Sequence, residues 1–206
     1  MLLYVNTKNY AINNAATLKL LCQQIVELGF PVRLVVPAVM LGYLKEYAKI
    51  LWVQHLDESD FGSHTGRNSV LLLDSSMCEG VLVNHAERPL DQAQILAVCT
   101  KAKASGLKTM LCSEDLDFLL AFQKQEAACI LAYEPKELIG GDISVVDVEL
   151  DVLKRTVGGF EKPFVVGAGI KKASDLQMIE AVLDCYENYK ALKKGKIERD
   201  KIPVKN

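Results

Sequence analysis

No window of this 206-residue chain reaches the roughly 18 consecutive apolar residues that a membrane-crossing helix needs. Nor does "MLLYVN" open a charged leader followed by an apolar core and a small-residue cleavage site, so a cytoplasmic protein is expected. Cationic excess is also lacking. The chain has 24 Lys and Arg against 26 Asp and Glu, a net charge of −2, and offers no overall basic field for nucleic acid or an anionic membrane. A small-molecule partner is the expectation that remains. The six cysteines, Cys22, Cys78, Cys99, Cys112, Cys129 and Cys185, form no C-x-x-C and sit inside apolar patterns. That spacing disfavours a zinc site or a disulfide framework and suits buried free thiols. No G-x-G-x-x-G follows the first apolar run, which removes the simplest argument for a dinucleotide fold. Neither a metal nor a cofactor is expected.

What the sequence does contain is alternation. Seven short, β-prone apolar runs occur, "LLYVN" (2–6), "VRLVVP" (32–37), "ILWVQH" (50–55), "GVLVNH" (80–85), "LKTMLC" (107–112), "CILAYE" (129–134) and "PFVVGAG" (163–169). Helical patterns separate them. "NAATLKLLCQQIVELG" has Asn13 or Asn14 to cap it and Gly29 to stop it, and "DQAQILAVCTKAKASG" runs likewise from Asp91 to Gly106. Strands that are apolar throughout imply cover on both faces, as in a parallel sheet wrapped by helices. At 206 residues and 50% hydrophobic, one domain with a sizeable core is expected. Periodicity leaves two α/β architectures open, a closed (β/α)8 barrel and an open doubly wound sheet.

Polar residues at the carboxyl ends of these runs favour the barrel. Asn6 and Lys8 follow the first, His85 ends the fourth, Glu134 ends the sixth and "GAG" (167–169) ends the seventh. In a parallel barrel all such tips face one mouth, where barrel enzymes build their sites. Glu134 is the most telling of them, because Pro135 biases it to extended geometry and makes it the last residue of a strand.

Five segments, in order, resemble the triosephosphate isomerase family in its short archaeal form: "VNTKNY", "QHLDESDFGSHTG", "VLVNHAERPL", "AYEPKELIGGDISV" and "VVGAGI". The resemblance covers about residues 1–180 and implies a TIM (β/α)8-type barrel. Moving a carbonyl between adjacent carbons needs a base for the carbon-bound proton and donors for the enediolate oxygens. The resemblance assigns the base to Glu134 and a polarising donor to His85. This family is itself the standard example of an imidazole kept neutral by a helix N-terminus. The resemblance also implies Lys8 as fixed positive charge, Asn6 as its support and Glu87 in a secondary role. Backbone around Ile139 and Gly140 would be a lid over the substrate phosphate, and Gly167 and Gly169 a phosphate loop. Segment 57–68 would contact a second copy in a homodimer or homotetramer. His55 is expected to satisfy a local hydrogen bond, and His64 to serve that contact.

Two departures stand out. Ala86 replaces the family's usual serine after the histidine, and the end of the chain lacks a recognisable eighth strand with its glycine loop. Residues 175 to about 194 read as one helix, and 186–206 form a basic tail with seven basic and three acidic residues. "KIPVKN", the only strand candidate there, is short and contains a proline. An incomplete barrel and a weakened phosphate anchor are therefore expected, with lowered turnover. The alternative is a catalytically degenerate barrel that binds or scaffolds.

Overall fold

The structure, a computed structural model, describes residues 2–125, 130–135 and 162–167. Every one of the seven apolar runs contains a strand. They are β1 (Leu3–Asn6), β2 (Val32–Val36), β3 (Leu51–Val53), β4 (Gly80–Val83), β5 (Lys108–Ser113), β6 (Ile130–Tyr133) and β7 (Phe164–Val166). The sheet order is β1-β2-β3-β4-β5-β6-β7, and the ladders from β1 through β6 are parallel. Leu131 N–H donates to Pro163 O at 3.0 Å beside β7.

That order decides between the two architectures. In a doubly wound sheet the order reverses at a switch point; here it never does. With right-handed crossovers, an unreversed order puts the connections from β1 to β5 on one face of the sheet. The other face must be filled by the strands themselves. Tyr4, Val35, Trp52, Leu82, Met110, Cys112, Ile130, Ala132 and Val165 cluster there. Their chain neighbours Leu34, Val36, Leu51, Val53, Val81, Val83, Leu111 and Leu131 are buried on the opposite face. Burial of consecutive residues explains why the runs read as apolar throughout rather than alternating.

The helices follow their local signals. Helix α1 (Ala15–Leu28) is capped by the Asn14 side chain, which accepts from Thr17 N–H, and is stopped by Gly29 at φ 65°. Helix α3 (Gln92–Ala104) starts with a capping box in which Asp91 and Gln94 each accept the other's backbone N–H, and it packs on β4 and β5. Helix α4 (Leu116–Phe122) is capped by Asp115. Two connections depart from plain βα repetition. After β2 the chain forms only a four-residue helix, α2 (Leu41–Leu44), between 3-10 turns, and between β3 and β4 there is no α-helix among the described residues.

Trp52, the chain's only tryptophan and fully buried, anchors the amino-terminal end of the sheet. Its ring meets Tyr4 edge-on at 5.2 Å, and its Nε1 donates to Glu79 Oε2 at 2.9 Å. Glu79 also accepts from Lys108 Nζ at 2.7 Å and from the Arg33 guanidinium. Directly after it, Gly80 lies so close that an added Cβ would sit 2.5 Å from Lys108 O and 2.8 Å from the Trp52 ring. Both obstacles are fixed. Gly80→Ala is expected to destabilise by about 3 kcal/mol, the upper end for overpacking; urea unfolding followed by Trp52 fluorescence measures it.

The four described cysteines, Cys22, Cys78, Cys99 and Cys112, are buried and outside any disulfide, as expected. Burial pushes the Cys22 and Cys78 thiols up to about 11, which keeps them protonated and unreactive at neutral pH. Cys129 and Cys185 lie outside the described residues.

By its contacts the chain divides into two units, Met1–Tyr133 with Lys162–Val165, and Glu134–Glu161 with Val166–Asn206.

Candidate active site

In the first unit, the carboxyl ends of β1, β3 and β4 open onto a cavity of about 730 Å3. Asn6, Lys8, Gln54, His55, Asp57, His85, Glu87 and Arg88 are among its walls. Three of the expected residues, Asn6, Lys8 and His85, thus share one pocket. Each is held by a specific contact.

Asn6 ends β1, and its Oδ1 accepts from Lys8 N–H at 3.0 Å and from Gln54 Nε2 at 3.2 Å. Lys8 adopts φ 50°, an uncommon conformation for a residue with a side chain. Its Nζ donates to Glu87 Oε1 at 3.1 Å, tying the first tip to the fourth. Glu87 thereby fixes where the lysine charge sits.

His85 is only 8% exposed. Its Nδ1 accepts the backbone N–H of Glu87 at 3.1 Å. A ring nitrogen that accepts an N–H carries no proton of its own, so this contact fits the tautomer with its proton on Nε2. An imidazole in this state can donate to a developing oxyanion without itself being a cation. The turn after it closes with Arg88 N–H on His85 O at 2.7 Å.

His55 makes the local contact expected of it, with Nε2 3.4 Å from Asp57 Oδ1, though it also lines the cavity. Asp57, 4% exposed, accepts Asn68 N–H at 2.6 Å and faces Arg67 at 3.3 Å. Burial alone would raise its carboxyl, but the hydrogen bonds from Asn68, His55 and Arg67 outweigh it and hold the group below the usual carboxylate range. Asp57 thereby closes the neck of the 57–68 loop. From α3, Lys101 Nζ braces the same loop on Glu58 O and on Asp60 Oδ1, the latter at 2.6 Å. Phe61 projects from the loop, 72% exposed.

In the second unit, Glu134 directly follows β6, and the backbone at Gly167 comes against its side chain. A Cβ at Gly167 would stand 3.0 Å from Glu134 Oε1 and 3.4 Å from its Cγ. A side chain there would fit only if Glu134 gave way by a few tenths of an ångström. Ile139, Gly140 and Gly169 lie outside the described residues.

Gln54 and Asn84 were not singled out in the sequence, although Gln54 could have been. It stands one residue past β3, where the strand-tip logic applied to the other runs also holds.

A family model described as triosephosphate isomerase matches residues 1–179. The chain belongs to the triosephosphate isomerase family. The triosephosphate isomerase of Thermoplasma volcanium is 31% identical over 178 residues, which cover 84% of this chain and 83% of that protein. That of Methanocaldococcus jannaschii is 31% identical over 194 residues, covering 89% of this chain and 87% of the other. Methanococcoides burtonii supplies a third, 34% identical over 136 residues, 62% of this chain and 59% of its own. The archaeal character of the motifs is thus matched by archaeal relatives, and family membership favours an isomerase over a degenerate scaffold. Residues 180–206 fall outside the family match.

Proposed function

We infer that the chain is a triose-phosphate isomerase that interconverts glyceraldehyde 3-phosphate and dihydroxyacetone phosphate through an enediolate. Family membership together with one observation carries the reading: His85 Nδ1 accepts a backbone N–H, which leaves a donor at Nε2. Glu134 removes the carbon-bound proton and returns it to the neighbouring carbon. His85 Nε2–H donates to the oxygens as charge develops, and Lys8, oriented by Asn6 and Glu87, supplies fixed positive charge. Backbone at Ile139, Gly140, Gly167 and Gly169 receives the phosphate. The atoms balance with no net oxidation, since the proton leaves one carbon and arrives at the next while the hydroxyl proton passes from one oxygen to the other.

The reading extends to one (β/α) barrel domain over 1–206, with 186–206 as a basic tail in place of a last βα unit, and to residence in the cytoplasm. No helix among the described residues is long and apolar enough to cross a membrane. It also extends to a homo-oligomer joined through the 57–68 loop. What supports this is a loop already braced by Asp57 and Lys101 that carries an exposed Phe61, and a second cavity of about 490 Å3 lined by Tyr10, Val39 and Met40. Exposed apolar side chains beside such a recess mark an interaction surface. The test couples the purified chain, with glyceraldehyde 3-phosphate as substrate, to a dihydroxyacetone phosphate-consuming dehydrogenase. Light scattering is run on the same sample. Turnover at background sinks the isomerase, and a mass of 22.8 kDa sinks the oligomer.

A further inference from the structure

We propose that Asn84 is a positioning residue for His85: its carboxamide fastens the turn from His85 to Leu90 and so determines which imidazole nitrogen holds the proton. The kinetic arm of the test rests on the isomerase reading; the structural arm does not.

Among the described residues only two without a glycine backbone take positive φ, Lys8 and Asn84, at 50° and 60°. Both stand at strand tips on the cavity side. Left-handed backbone is costly for a residue with a Cβ, least so for Asn, and such outliers persist where the surroundings over-determine them. At Asn84 the surroundings are visible. Its Nδ2 donates to Cys112 O, near the carboxyl end of β5, at 3.0 Å. Its Oδ1 accepts from Leu90 N–H, at the far end of the turn, at 2.8 Å. One side chain therefore joins β4, β5 and the approach to α3.

The turn it fastens carries the group that matters. His85 Nδ1 depends on the Glu87 N–H at 3.1 Å, and that N–H points correctly only while the backbone between residues 85 and 90 is fixed. Releasing Leu90 leaves the turn its inner bond, Arg88 N–H to His85 O, and side-chain contacts such as Lys8 to Glu87, and a turn closed by that inner bond admits more than one orientation of the Ala86–Glu87 peptide. The imidazole can then put its proton on Nδ1, and Nε2 becomes an acceptor. A wrong tautomer in place of a positioned one is costly to catalysis even when every catalytic group is present.

Three variants separate backbone from side chain. Asn84→Gly keeps the freedom to reach φ 60° and removes both carboxamide bonds. Asn84→Asp keeps an acceptor for Leu90 N–H and loses the donor to Cys112 O. Asn84→Ala loses the bonds and strains the backbone as well. In steady-state assays of the whole protein, Asn84→Gly is expected to lower kcat by about ten- to a hundredfold with KM changed less than threefold, the scale of a misplaced reacting group. Asn84→Asp should fall between it and the parent. In parallel, 15N-histidine NMR reads the tautomer directly. With three histidines in the chain, His85 is assigned by comparison with His55→Gln and His64→Gln. The parent should show the Nε2–H form and Asn84→Gly a mixture of both. A kcat for Asn84→Gly within twofold of the parent, or an unchanged tautomer, overturns the proposal. Should the parent have no isomerase activity, the proposed function fails while the NMR comparison still decides the role of Asn84. If Asn84→Ala does not fold, Asn84→Gly alone carries the decision.

Discussion

Glu134→Gln is expected to lower kcat by about 10³-fold while KM stays within a few-fold, within the range for loss of a positioned general base. The amide keeps the shape and hydrogen-bonding reach of the carboxylate but cannot take a proton from carbon. An interaction made only as the proton moves should appear in kcat rather than in KM. Gly167 gives the same side chain a second, graded test. A methyl there would stand 3.0 Å from Glu134 Oε1, and the end of a side chain can yield where backbone cannot. Gly167→Ala should therefore fold and lose activity by a smaller factor than Glu134→Gln, because it displaces the base without removing it. Steady-state kinetics on the three proteins settles the matter, and equal activities would remove Glu134 from the chemistry.

Glu79→Gln is expected to destabilise by about 2–3 kcal/mol at neutral pH, by leaving Arg33 and Lys108 without their shared carboxylate. The physical ground is a carboxyl whose burial favours the neutral form but which is overruled by donors from Arg33, Lys108 and Trp52, so that it is held down to about 2 from an ordinary 4.5. A carboxyl depressed in the folded state contributes stability that is fully present above its unfolded value. That stability is lost as pH falls through the folded one. The parent should accordingly weaken between about pH 4.5 and 2 in a way that Glu79→Gln does not. The gap between the two, widest near neutrality, should close toward pH 2. Urea unfolding by circular dichroism at several pH values measures it. A gap that stays constant with pH would mean the substitution acts through shape and not charge.

Much of the framework was legible because it rests on local patterns. Asn14, Gly29 and Asp91 act where capping chemistry puts them, and each apolar run holds a strand because burial on both faces leaves no polar positions to interrupt it. The connection from β3 to β4 was less so. Residues 57–68 are held by Asp57 and Lys101 through hydrogen bonds that leave no periodic trace in sequence. The Glu79 cluster is hidden for another reason. Arg33, Trp52 and Lys108 lie 46, 27 and 29 residues from it, and only stacking of strand beginnings brings them together. Within the site, Lys8 and His85 announce themselves by residue type, whereas the role of Asn84 depends on a backbone angle and two main-chain partners. The resemblance to archaeal isomerases supplied the roles that spacing could not.

The unreversed strand order has a consequence for how the protein is made. Each ladder from β1 to β6 joins segments close in sequence, from 17 residues apart for Leu34 and Leu51 to 29 for Leu3 and Val32. Closing such short loops is entropically cheap, and each strand emerging from the ribosome finds the previous one already present as its template. The sheet can therefore assemble in the order of translation, with register handed from one strand to the next.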